Sequence, residues 1–142
     1  MKRTTWILVG MMLAGLIVAG CGQTPLGGEK EAAITVEKLE NAPSKLTLSE
    51  HAAQRLGVQM AEVRDQGSQK VIPYAAVIYD AQGATWAYAA SEALTFQRAA
   101  ITVATITGDE AFLTDGPDAG TRVVIVGAAE LYGAETGVGG GH

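Results

Sequence analysis

Apolar and polar residues alternate in short runs along most of the chain, the period expected of half-buried strands. Val58 to Val63 alternates in this way, and Leu46-Thr47-Leu48 does so just upstream. Between them the spacing changes to that of a helix. Ser49 is a good N-cap, Glu50 suits the positive end of a helix, and Gly57 can close it in the left-handed conformation. The expected buried face is Ala52, Ala53 and Leu56, with His51 and Arg55 pointing outward. From Val71 onward the pattern is that of strands. Val71-Ile72-Pro73 leads into Ala75 to Tyr79, with Pro73 marking an edge or a strand entry. Asp80-Ala81-Gln82-Gly83 is turn chemistry and returns the chain as Thr85-Trp86-Ala87-Tyr88, a hairpin. Leu94 to Arg98 and Ile101 to Val103 are further short strands. Thr107-Gly108-Asp109-Glu110 turns into Ala111-Phe112-Leu113, and the Asp115 to Gly120 loop precedes the buried strand Val123 to Val126. Short strands at this spacing indicate a mainly β domain, a small β-roll or barrel-like fold with one short helix. Ala128 to Tyr132 is expected to make a helical turn, and Gly133 to His142 a disordered glycine-rich tail.

The N-terminus has a different pattern. Lys2 and Arg3 are followed by an uncharged apolar run from Trp6 to Ala19 and by small residues, the order of a secretory signal. The run is short of the roughly 20 apolar residues a membrane-crossing helix needs. Val18-Ala19-Gly20-Cys21 resembles the lipobox of bacterial lipoproteins. That resemblance implies a signal at 1–20, cleavage between Gly20 and Cys21, a thioether-linked diacylglycerol on Cys21 and an acylated amine such as a palmitate amide. The competing reading is a signal anchor with an incidental cysteine. Residues 21–45 are then expected to be the lipidated N-terminus and its tether, with Pro25, Gly27 and Gly28 keeping it free of regular structure. Ile34, Val36 and Leu39 leave room for a short strand within it.

Composition narrows the function classes. The formal charge is −5, and loss of Lys2 and Arg3 with the signal makes the chain more acidic still. An acidic surface argues against nucleic acid or anionic headgroups as partners. Cys21 is the one cysteine, so acylation there excludes a disulfide, a thiolate metal site and a cysteine nucleophile.

Ile72-Pro73-Tyr74-Ala75-Ala76-Val77 followed by Gly83-Ala84-Thr85-Trp86-Ala87-Tyr88 resembles the periplasmic adaptor subunits, or membrane fusion proteins, of tripartite efflux pumps. The resemblance continues through Phe96-Gln97-Arg98, Gly108-Asp109 and Gly120-Thr121-Arg122-Val123-Val124-Ile125-Val126-Gly127-Ala128. Upstream, Leu46 to Gln59 resembles the opening segment of heavy-metal-type adaptors. The resemblance implies the C-terminal, membrane-proximal β-domain of an adaptor over 46–132. Full adaptors carry a lipoyl-like domain and a helical hairpin between these segments, whereas here only Arg64 to Lys70 separate Val63 from Val71. The implied function is a non-catalytic docking or accessory subunit, facing the periplasm and contacting a resistance-nodulation-division (RND) transporter or a full-length adaptor. A ligand- or metal-binding envelope lipoprotein that reuses the same β-domain is the alternative.

No enzymatic or cofactor site is expected. Met60 stands alone once the signal methionines are gone, which is poor for soft-metal capture, and His51 reads as a solvated helix residue. His142 on a glycine tail is a weak lone ligand. Asp115 and Asp118 read as turn-capping residues rather than calcium ligands. Ser49, Glu50 and His51 are neighbours on one helix, the wrong geometry for a triad. Trp86 and Tyr88 share one face of a strand. They are either the aromatic core of a light domain, joined by Phe96 and Phe112, or an outward anchor for a partner.

Overall fold

The computed structural model describes residues 33–138. Its first element is a strand over Ile34, Val36 and Leu39, the short strand for which the expected tether left room. Strand β1 (Ile34–Leu39) pairs antiparallel with β2 (Ala42–Leu48), so the domain begins well before Leu46. The reason is tertiary: Ile34 and Val36 pack against a core that also holds Leu46 and Leu48. Helix α1 (Glu50–Leu56) follows, capped by the Ser49 hydroxyl, which accepts from the Ala52 amide at 3.2 Å. Gly57 ends it at φ 60°, donating back to the helix carbonyls.

The remaining strands are β3 (Gln59–Glu62), β4 (Arg64–Gln66), β5 (Gln69–Pro73), β6 (Ile78–Tyr79), β7 (Thr85–Glu92), β8 (Thr95–Ala100), β9 (Thr102–Thr107), β10 (Glu110–Asp115) and β11 (Arg122–Val126). A single 3-10 turn, Tyr74–Ala76, separates β5 from β6 where the alternation alone suggested strand. They form two open antiparallel sheets. The larger runs β1-β2-β8-β7-β11-β3, with β6 beside β7, and the smaller runs β4-β5-β10-β9. The fold is mainly β, as the short alternating runs indicate.

Two chain segments pass directly from one sheet to the other. Val63 lies between β3 and β4, and Ile101 between β8 and β9, and both are buried. Their amides stay bonded at the corner, Val63 to the Thr121 carbonyl at 2.8 Å and Ile101 to the Thr85 carbonyl at 3.0 Å. Such corners let two sheets cross while the apolar residue at the bend fills the space between them. Ile72, Ala87, Ala111, Leu113 and Val123 complete this inter-sheet core.

The opposite face of the larger sheet is covered by helices. Tyr88, Phe96 and Val124 pack there with Leu46 and Leu48, under Ala52 of α1 and Ala128 and Leu131 of α2 (Ala128–Thr136). Successive residues therefore go to opposite cores: Ala87 and Val123 to one, Tyr88 and Val124 to the other. Helix α2 is a second departure from expectation. It continues through Gly133 to Thr136, where a disordered tail was expected to begin, because its last turn is tied to the sheet by Glu135.

Candidate interaction site

Strand β9, Thr-Val-Ala-Thr-Ile-Thr, is the outer strand of the smaller sheet, hydrogen-bonded among the described residues to β10 alone. An outer strand exposes a row of unpaired backbone groups, and proteins usually blunt it with charge, proline, brevity or a bulge. The other sheet edges are blunted. β1 carries Glu37 and Lys38 and a register shift, β3 ends in Glu62, β4 is the short Arg64-Asp65-Gln66, and β6 has two residues. β9 has no charge and no proline, and its residues favour extended structure. Register shifts against β10 at Leu113 are its sole interruption. Ile106 on this strand is 41% exposed.

A cleft of about 500 Å³ opens beside the first residues of β9. Tyr79, Thr85, Trp86 and Ile101 line it together with Thr102 and Val103. Tyr79 is 49% exposed and Tyr74 nearby is 42% exposed. The Tyr74 side chain beside it raises the pKa of the Tyr79 hydroxyl, so Tyr79 stays neutral near pH 7. Exposed tyrosines of this kind give an apolar face with a polar tip, a combination enriched where proteins meet partners.

Trp86 is half-buried, and a polar network holds it in place. Its indole Nε1 donates to Asp80 Oδ2 at 2.9 Å, across the turn that joins β6 to β7. The other Asp80 oxygen accepts from the Gln82 and Ala84 amides at 2.9 and 2.8 Å. The Trp86 bond foremost, then the amides and the Arg98 charge, hold the Asp80 carboxyl below its ordinary pKa, against the opposing effect of desolvation. The Arg98 guanidinium lies over the Trp86 ring, 4.6 Å from its centre, and 5.8 Å from the centre of Tyr132 on α2. Arg98 Nε is 2.9 Å from Glu135 Oε2, an ion pair whose N–H points away from the carboxylate. The same Glu135 oxygen accepts from Tyr88 Oη at 2.6 Å. Tyr88 and Arg98 are direct cross-strand partners, which is why they meet under one helix. Burial first, then the Glu135 carboxylate, pushes the Tyr88 phenol far above its usual range.

The sequence-nominated aromatics therefore part company. Tyr88 and Phe96 are fully buried in the helix-side core. Trp86 shares that face but sits at its margin, in the cleft. Phe112 lies on the other sheet, half-buried beside Val71 and Thr105. Met60 packs half-buried on the helix-side core, and His51 is exposed on α1. The Ser49 hydroxyl is used as the α1 cap, and Asp118 pairs with Lys70 at 3.1 Å. Asp115 accepts from the Gly116 amide at 3.0 Å. Gly20, Cys21 and His142 lie outside the described residues, as do the signal and residues 21–32 of the expected tether. Arg98 and Glu135 were missed by sequence reasoning, since one sits in an ordinary strand pattern and the other was assigned to the tail. The Asp80–Trp86 pair carried a usable signal, an aspartate opening a turn with an indole on the returning strand.

No family model matches the chain, and no curated protein or solved structure matches it either.

Proposed function

We propose that the chain is a lipid-anchored, non-catalytic docking subunit of the cell envelope that receives an extended segment of a partner protein along β9. The observation that carries this reading is the uncharged outer strand with the Tyr79–Trp86 cleft at its start. Strand addition draws affinity from main-chain hydrogen bonds and specificity from pockets that take alternate side chains, and both elements are side by side here. The adaptor resemblance supplies the partner class: an RND transporter or a full-length adaptor, in an efflux assembly on the periplasmic side. Anchoring falls to the lipid on Cys21, since an acidic chain gains little from a membrane surface by charge.

The test is capture of partners from gently solubilised native membranes. Thr105→Lys places a charge on the edge without touching either core, because Thr105 is exposed. The native chain should bring down a transporter or full-length adaptor that the Thr105→Lys chain does not, with the melting midpoint unchanged. Identical capture by both chains would remove β9 from the interface. Self-association of the native chain alone, abolished by the lysine, would make the partner a second copy and refute the transporter reading.

A further inference from the structure

A second concavity shares no lining residue with the β9 cleft. It is a groove of about 790 Å³ between the outer strand β1 and α2. Ile34 and Val36 form one wall, and Ala129, Tyr132, Ala134 and Val138 the other. The volume is in the range of sites that enclose small ligands, and the lining is aliphatic apart from Tyr132 and the Glu130 carboxylate. No lysine, arginine or histidine among the described residues lines it. Tyr132 is fixed by the Arg98 guanidinium and α2 by the Glu135 contacts, so one wall is already in position.

We infer that this groove holds an acyl chain of the lipid carried by Cys21. Three observations converge on that occupant. The groove is lined mainly by apolar residues, which suits it to methylenes. Its one charge is negative, so it disfavours a free fatty acid, whose carboxylate would meet Glu130 with no cation to balance it. An acyl chain in amide or ester linkage is neutral and meets no such repulsion. Finally, the chain that leads from Cys21 enters the domain at Ile34, which is itself a wall of the groove. Fully extended, the residues from Cys21 to Ile34 span at most on the order of 45 Å, so the lipid is tethered within reach. A methylene in the groove is withdrawn from water as it would be in a bilayer, and the remaining acyl chains are left to anchor the protein. This occupant rests on the reading of Cys21 as the lipid-bearing residue.

The experiment uses the full chain with a benzophenone amino acid at position 129, an exposed groove residue, and a control with the same group at position 119 in a distant loop. Both are reconstituted in phosphatidylcholine vesicles, irradiated and analysed by peptide mass spectrometry. Intact mass is read first: a chain without lipid on Cys21 refutes the lipoprotein reading itself. With the lipid present, residue 129 should cross-link to an acyl group on the Cys21 peptide at least tenfold more than residue 119 does. Cross-linking to phosphatidylcholine instead would overturn the assignment to the protein's own lipid, and no excess over position 119 would overturn acyl binding altogether. Independently of lipidation, the Cys21→Ser chain should immobilise a spin-labelled stearate methyl ester at least tenfold more tightly than the free acid. Filling the groove with Ala129→Trp should abolish that binding while the melting midpoint holds. Equal binding of ester and acid, or binding that survives Ala129→Trp, would refute the groove as a neutral acyl site.

Discussion

Glu135 ties α2 to two strands of the larger sheet. Its side chain is 5% exposed, and one of its oxygens meets both Tyr88 and Arg98. Removing a carboxylate from such a position leaves the guanidinium unbalanced and the phenol unbonded. Glu135→Ala should therefore lower stability by about 2–4 kcal/mol, read as a shift in the urea midpoint of Trp86 fluorescence. A midpoint unchanged within error would mean that water replaces the carboxylate. Burial of the Tyr88 phenol, and then the Glu135 oxygen beside it, set an alkaline limit on stability. The phenol's folded-state pKa lies above its unfolded value near 10, so its contribution is complete below about pH 10. It is then lost as pH rises toward the folded value, since the unfolded chain ionises first. Urea midpoints taken between pH 9 and 11 should fall more steeply for the native chain than for Tyr88→Phe, and parallel slopes would disprove the coupling.

Helix α2 is the element most dependent on its surroundings. It contains Gly133, a poor helix former, and starts at Gly127, which has φ 94° and no side-chain cap. A Cβ at Gly127 would lie 3.3 Å from Val58 Cγ2 in a backbone conformation that disfavours any side chain. At Gly57, which closes α1 at φ 60°, a Cβ would meet open space. Gly127→Ala should thus cost about 2 kcal/mol, and Gly57→Ala about 1 kcal/mol, by thermal melting. Equal losses would show that Val58 gives way freely. The expectation of a tail after Tyr132 weighed local propensity alone. What extends the helix is Tyr132 and Ala134 on the core and Glu135 on the sheet, contacts formed with residues far away in sequence.

At the scale of the whole molecule, both concavities use α2 and its network as a common support. Trp86 at the cleft and Tyr132 at the groove are the two rings that Arg98 faces. The proposed arrangement places partner docking on the β9 edge and lipid contact at β1, on different sheets. Cys21→Ser should move the chain from the membrane to the soluble fraction on cell fractionation. A chain that stays with the membrane would point to the segment Trp6 to Ala19 remaining as an anchor, with the cysteine incidental.

Elements whose signal is local were legible in the sequence. The Ser49 cap, the Gly57 stop, the Asp80–Gly83 turn and the alternation of Ala87 with Tyr88 and Val123 with Val124 are short-range rules of backbone and side-chain geometry. They were enough for a mainly β domain with a helix after β2. Three features depended on the tertiary structure. Ile34 to Leu39 became a strand because β2 offered it a partner and a core to cover. β9 became an uncharged open edge because no strand among the described residues pairs with its other side, which its own residues do not encode. Arg98 and Glu135, thirty-odd residues apart, became an ion pair because β7–β8 pairing and the docking of α2 bring them together. Local pattern fixes which residues can be buried, and only the pairing of distant strands fixes what they are buried against.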